Sequence, residues 1–165
     1  MSAADNTVLA PSRHAGERMQ LLRHITEVPE NKRGSVVALG NFDGFHRGHQ
    51  VVIGEAGRIA RLLDVPLVVV VTEPHPVSFF RPDVPSFRLT PFRERVQLLE
   101  HFGVDQLLVL PFDKELAGMS AQAFVTDILR EGLNANHVFV GYDYRFGKGR
   151  GGGIDVLAWM GEMEG

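Results

Sequence analysis

The stretch VVALGNFDGFHRGHQVV, residues 36–52, decides the fold of this chain. It opens as a smooth apolar run, breaks at Gly40 into a loop of glycines, one aspartate and two histidines, and resumes with helical spacing. Ser35–Gly40 reads as a strand. From Gly48 to about Leu63 the residues Val51, Val52, Glu55, Ile59, Leu62 and Leu63 recur at near-helical intervals, so the segment reads as a helix. A strand leading through glycines into a helix is the start of a βαβ series.

Working outward, the pattern repeats. Leu67–Thr72 (LVVVVT) is a continuous β-branched run, the mark of a strand buried on both faces. Thr90-Pro91 is a helix start, with threonine as N-cap and proline at the first helical position, and that helix ends near Gly103. Gln106–Leu110 is the next strand. Ser120 caps a helix running to about Glu131 and closed by Gly132. His137–Gly141 is the fourth strand, and IDVLAWMGEME is a last helical segment after the glycine-rich FGKGRGGG. MQLLRHITEVP, from Met19, reads as a short edge strand, and residues 1–18, polar and without period, as a disordered tail. The expected fold class is α/β: a Rossmann-like, doubly wound parallel sheet with helices on both faces.

Composition excludes several functions. A chain of 165 residues, 44% hydrophobic and 22% charged, has the make-up of one soluble globular domain. A formal net charge of −3 argues against a dedicated nucleic-acid or membrane binder. With no cysteine there is no disulfide framework, thiolate zinc site or cysteine nucleophile. No apolar stretch reaches the length of a membrane span, and the N-terminal residues lack a signal-peptide core, so the expected compartment is the cytoplasm.

In a doubly wound sheet, ligands bind outside the carboxyl ends of the strands, and Gly40–His49 lies there. Free backbone N–H groups and the helix dipole attract phosphate at such a place. The glycine spacing is neither G-x-G-x-x-G nor G-x-x-x-x-G-K-[ST], which disfavours a dinucleotide fingerprint and a P-loop. His46 and His49 admit three readings. They can ligate a metal, with Asp43 and His75 as helpers, although two histidines fall short of the usual three or four ligands. They can cap the turn. Or both imidazoles can donate hydrogen bonds to phosphate oxygens held at the helix start.

His46-Arg47-Gly48-His49 matches the H-x-G-H signature of the nucleotidyltransferase superfamily. EPHPVSFFRPD, RLTPFRERVQLLEHFGVDQLLVLPFD and VFVGYDYRFGKGRGGG follow in order. Together these segments resemble the adenylyltransferase module of bacterial bifunctional riboflavin kinase/FAD synthetases, from Met19 to the end of the chain. The resemblance implies a nucleotidyltransferase-type fold over residues 19–165 and the reaction of ATP with FMN to give FAD and pyrophosphate, with Mg²⁺ accompanying ATP. The implied partners are these small molecules, with neither nucleic acid nor membrane.

Carried over by motif, the resemblance places Gly40, Asn41, Phe42, Asp43, His46, Gly48 and His49 at ATP, with His46 and His49 as the catalytic pair. It places Pro74, His75, Asp143, Tyr144 and Phe146 at the flavin, and assigns no metal to protein side chains. Asp43 has a structural alternative, bonding the amides of its own turn. EPHP has one as a rigid turn with a solvated histidine. Lys148 and Arg150 read either as phosphate contacts or as a solvated loop, and Arg93 and Arg95 as surface charges. Thr72 stands where the family carries an aromatic. The superfamily's second phosphate motif, S-S/T-x-x-R, and the riboflavin kinase domain have no counterpart before Gly165. The chain is therefore expected to bind adenine nucleotide weakly, to transfer adenylyl groups slowly and not to phosphorylate riboflavin; an inactive nucleotide- or flavin-binding protein is the alternative reading.

Overall fold

The computed structural model describes residues 18–85 and 90–164. The tail read at residues 1–18 lies outside them except for Arg18.

The apolar runs become a parallel sheet. Its strands are β1 (Gln20–Leu22), β2 (Val36–Leu39), β3 (Leu67–Glu73), β4 (Gln106–Pro111) and β5 (His137–Val140), in the spatial order β1-β4-β3-β2-β5. Every pairing is parallel; β2 is flanked by β3 (Val36↔Leu67 to Leu39↔Val70) and by β5 (Val36↔His137 to Leu39↔Val140). The segment after Met19 is indeed an edge strand, on β4.

Helices cover both faces. α1 (Arg47–Leu63) and α3 (Phe92–His101) lay Ile53, Ala56, Ala60 and Leu99 against Val36, Ala38, Leu67, Val69 and Val71. Alternate residues of the same strands, Val37, Leu39, Val68 and Val70, meet Phe124, Ile128 and Leu129 on the other face. The last three belong to a helix that begins as α5 (Ala121–Ala123) and continues in π register over Phe124–Gly132. The sequence reads this segment as one ordinary helix; in the structure its bonds lengthen to the i→i−5 pattern, as from the Leu133 N–H to the Ile128 carbonyl at 3.0 Å. α6 (Ile154–Glu164) packs Val156 and Leu157 on that side. Two short helices, α2 (Pro76–Phe80) and α4 (Lys114–Gly118), follow β3 and β4.

Helix ends follow local chemistry. Ser120 accepts the Ala123 N–H at 3.0 Å, as a capping serine should. Gly103, at φ +82°, closes α3 with the Gly103 N–H on the Glu100 carbonyl and the Val104 N–H on the Leu99 carbonyl, the paired bonds of a Schellman end. The start of α3 differs from the sequence reading. Pro91, not Thr90, is the N-cap, and the Thr90 hydroxyl instead accepts the Gly44 N–H at 3.0 Å. A tertiary donor has captured the group that local pattern assigns to the helix. Among the described residues no helix is long and apolar enough to cross a membrane.

The strand order reverses at β2: the chain steps outward through β3 and β4, then returns to place β5 on the opposite side of β2. The loops after β2 and β5 therefore flank the topological switch point, where α/β sheets present a crevice.

Candidate functional site

The loop leaving β2 is held in an unusual path by its two phenylalanines. Phe42 and Phe45 adopt left-handed backbone (φ +52° and +38°), which side-chain-bearing residues rarely tolerate. Both rings are buried in the core beside α1 and α3, and that burial offsets the strain. Gly40 is needed because the Phe42 ring folds back over it: a Cβ there would lie 3.0 Å from Cζ.

His46 caps α1. Its Nδ1 accepts the N–H groups of Gly48 (3.1 Å) and His49 (3.4 Å), so a neutral imidazole carries its proton on Nε2. The ring lies against Gly48, where a Cβ would come within 2.9 Å of its Cε1. It stacks on His49 with centroids 3.6 Å apart and planes 24° from parallel. The glycine of H-x-G-H thus makes room for the first imidazole, and the one-turn spacing brings the second beneath it. His49 meets the Phe42 ring edge-on at 5.3 Å, and its Nδ1 is buried without a hydrogen-bond partner. Burial first, and then the neighbouring His46, hold the His49 imidazole below its ordinary proton affinity, against the opposing pull of Asp43 and Asp143. The influence of Asp143 joins the β5 loop to the histidine pair across the switch point.

The same loop is clamped from β3 and α3. Asp43 accepts the Thr90 N–H at 2.8 Å while the Thr90 hydroxyl accepts the Gly44 N–H, a reciprocal pair. The structural alternative for Asp43 thus has a partner, the Thr90 amide of a distant segment. The Asn41 side chain accepts from the Thr72 hydroxyl at 3.3 Å. The Asn41 carbonyl accepts from Arg95, whose guanidinium also pairs with Glu73. Arg95, read from the sequence as a surface charge, is 3% exposed: its partners come from the loop after β2 and the end of β3, which helical periodicity does not reveal.

Beside this cradle lies a cavity of about 430 Å³. Its aromatic wall is Phe80, Phe112, Phe124, Tyr144 and Phe146; Asn41 and Thr72 supply polar atoms, and Arg145, Lys148 and Arg150 stand on the loop after β5. Tyr144 stacks near-parallel to Phe146 at 6.2 Å, and burial pushes its phenol up to about 12, so it remains a neutral hydroxyl. That loop is pinched shut by a two-way bridge between Phe146 and Gly152, at 3.1 and 2.8 Å, and anchored by the Lys148 N–H on the Met119 carbonyl at 2.8 Å.

The sequence-predicted residues thus divide. His46 and His49 stack together, Asp43 and Asp143 both act electrostatically on His49, and Asn41, Tyr144 and Phe146 border the adjoining cavity. The Phe42 side chain faces the core and not the cavity. Pro74 and His75 do not line the cavity either; His75 caps α2 by accepting the Val77 N–H at 3.2 Å, and Pro76 is the residue of that motif in the wall. Phe80 and Phe112 were missed as site residues: both lie inside the quoted family segments, EPHPVSFFRPD and RLTPFRERVQLLEHFGVDQLLVLPFD, but no role was carried over to either. A second signal is position beyond β3 and β4, at the same sheet edge. Among the described residues, no three His, Asp or Glu side chains gather as a metal site.

A parallel sheet with a histidine-lined helix start at its switch point and an aromatic cavity alongside defines an α/β protein with a ligand crevice where such sheets place one. The chain belongs to the FAD synthetase family, whose model matches residues 28–165. It is 40% identical over 147 residues to a bifunctional riboflavin kinase/FMN adenylyltransferase from Pseudomonas fluorescens, covering 89% of this chain and 47% of that one. It is 37% identical over 140 residues to the protein of the same description from Escherichia coli (strain K12), covering 84% and 45%. A crystal structure described as a macrolide-efflux protein from Streptococcus pneumoniae shares the fold at TM-score 0.70 and 26% identity, over 86% of this chain and 46% of that one. The chain spans about half the length of the curated relatives it matches.

Proposed function

We propose that this chain is a cytoplasmic FMN adenylyltransferase, moving the AMP moiety of ATP onto FMN. An oxygen of the FMN phosphate attacks the α-phosphorus, the bond from that phosphorus to the bridging oxygen of the β-phosphate breaks, and FAD and pyrophosphate form. The nucleophile is an anion at neutral pH, so no side chain must remove a proton from it. The protein's task is to align two polyanions and neutralise the charge that builds on the α-phosphate.

His46 suits that task because its Nδ1 is committed to the backbone and its donor, Nε2–H, is left for a ligand. His49 lies beneath it, biased towards the neutral form until an anion arrives. The aromatic cavity fits an isoalloxazine ring, Asn41 borders both halves, and Arg145, Lys148 and Arg150 bring positive charge to the flavin side. The described side chains fit Mg²⁺ only as an ion carried by the triphosphate, with single carboxylates such as Asp43 or Asp143 near it. Bound that way, Mg²⁺ would neutralise the leaving pyrophosphate.

The adjacency of a histidine-capped helix start and an aromatic cavity carries this reading. Its test is incubation of the chain with FMN, ATP and Mg²⁺ and chromatographic separation of the flavins. Slow, ATP-dependent formation of FAD is expected. Failure to form FAD together with failure to bind either FMN or ATP would overturn the assignment.

A further inference from the structure

Arg95 is an expensive residue in its position. It sits in the first turns of α3, almost wholly buried, with its guanidinium 5.5 Å from the centre of the Phe92 ring and its Nε without a hydrogen-bond partner. A buried charge with one unsatisfied donor is poor value for stability, and an apolar side chain of similar volume is often no worse. Stability therefore does not account for an arginine here.

Its two remaining arms do. One Nη donates to the carbonyl of Asn41, two residues beyond β2, and the other pairs with the carboxylate of Glu73, the last residue of β3. One rigid fork joins the ends of two neighbouring strands at the start of the loop that carries the histidines. That loop contains two strained phenylalanines, and strain of this kind persists only where the surroundings over-determine the backbone. The Asp43–Thr90–Gly44 pair fixes the loop's middle to Thr90, two residues before α3; Arg95, from inside α3, fixes its beginning.

We propose that Arg95 is a positioning residue, holding the Asn41 carbonyl and so setting the path of the loop that presents His46 and His49. It touches no substrate itself. That the loop serves ATP rests on the adenylyl-transfer reading; the fixing of the loop does not.

Hydrogen exchange of the unliganded chain separates the two. In Arg95→Met, amides of residues 40–46 are expected to exchange about tenfold faster, while α1 and the central strands keep their protection. Arg95→Lys, which can reach one partner at a time, should fall between the two. ATP with excess Mg²⁺ is expected to bind Arg95→Met about tenfold more weakly than the native chain. Unchanged exchange in residues 40–46, or acceleration spread evenly over the sheet, would overturn the proposal. Should Arg95→Met fail to fold, Glu73→Gln keeps the arginine's volume and loosens one arm; loop exchange about threefold faster is expected, and native exchange would overturn the proposal. If the native chain binds no ATP but its loop still responds to Arg95→Met, the adenylyl-transfer reading falls and the role of Arg95 stands.

Discussion

His46 accepts the backbone N–H of His49 through Nδ1 while its ring lies stacked on the His49 ring, 3.6 Å between centroids. One imidazole is thus both a helix cap and a candidate ligand donor. The capping and phosphate readings of the pair need not exclude one another: capping spends Nδ1, and phosphate would use Nε2.

The two duties of His46 can be separated by mutation. Asparagine is among the best N-caps, so His46→Asn should keep the melting temperature close to native while removing the Nε2–H donor. Its ATP affinity is expected to fall about 10- to 100-fold, the worth of one hydrogen bond to a charged group. His46→Ala should lose the affinity and, in addition, about 1 kcal/mol of stability. Native affinity in His46→Asn would limit the residue to capping.

The pH dependence follows from His49. Its folded-state proton affinity lies below the ordinary value of 6.5, mainly because it is desolvated. As pH falls through that value the unfolded chain takes up the proton first, so His49 favours the folded state above the window and this contribution is lost as pH falls through it. A bound polyanion acts in the opposite sense, raising the affinity of His49 for its proton. ATP binding should therefore take up protons below about pH 7 and tighten as pH falls into the window. Calorimetry in two buffers of different ionisation enthalpy measures the uptake, and His49→Gln should abolish most of it. Proton release on binding would contradict the assignment.

The architecture was legible because its signals are local. LVVVVT can only be comfortable between two layers, and the H-x-G-H turn is written in consecutive residues. Arg95 was not legible: an arginine beside Arg93 and Glu94 reads as solvated, and its acidic partner lies 22 residues away. Thr90 misled for the same reason, since a donor 46 residues distant takes its hydroxyl. The aromatic wall of the cavity was half legible. Tyr144 and Phe146 carry a role in their motif, whereas Phe80 and Phe112 lie in quoted segments without one and meet in the cavity because β3 and β4 end side by side. Thr72 departs from the family's aromatic at a place where these rings already supply the surface, and its hydroxyl holds Asn41.

Phe80 offers a clean test of the cavity. It is 64% exposed and meets Phe79 and Phe112 edge to face, at 5.2 and 5.8 Å. Truncation to alanine should leave the melting temperature nearly unchanged. FMN affinity, followed by flavin fluorescence, should fall about 5- to 30-fold through lost aromatic contact and burial. ATP affinity should not move. Unaltered FMN binding would place the flavin elsewhere.

Gly147 tests whether the loop after β5 must stay where it is. Its backbone is left-handed at φ +80°, and a Cβ would stand 2.7 Å from both Cα and N of Ala121, rigid atoms at the start of α5. Gly147→Ala therefore has to push the loop away from α5, at a cost of roughly 1–3 kcal/mol. The shift would carry Phe146 and Lys148 out of the cavity wall. Gly149 is the control: it is also left-handed, at φ +65°, but nothing lies within 4 Å of its Cβ position, so Gly149→Ala incurs only the backbone penalty of about 1–2 kcal/mol. Gly147→Ala carries that same backbone penalty besides the clash, so it should lose more stability than Gly149→Ala, and the two should differ in binding. FMN affinity is expected to drop about tenfold or more in Gly147→Ala and much less in Gly149→Ala, with ATP affinity near native in both. Melting curves and FMN fluorescence titrations on the pair decide the matter. Equal loss of FMN binding in the two would show that the contact with Ala121 does not set the shape of the cavity.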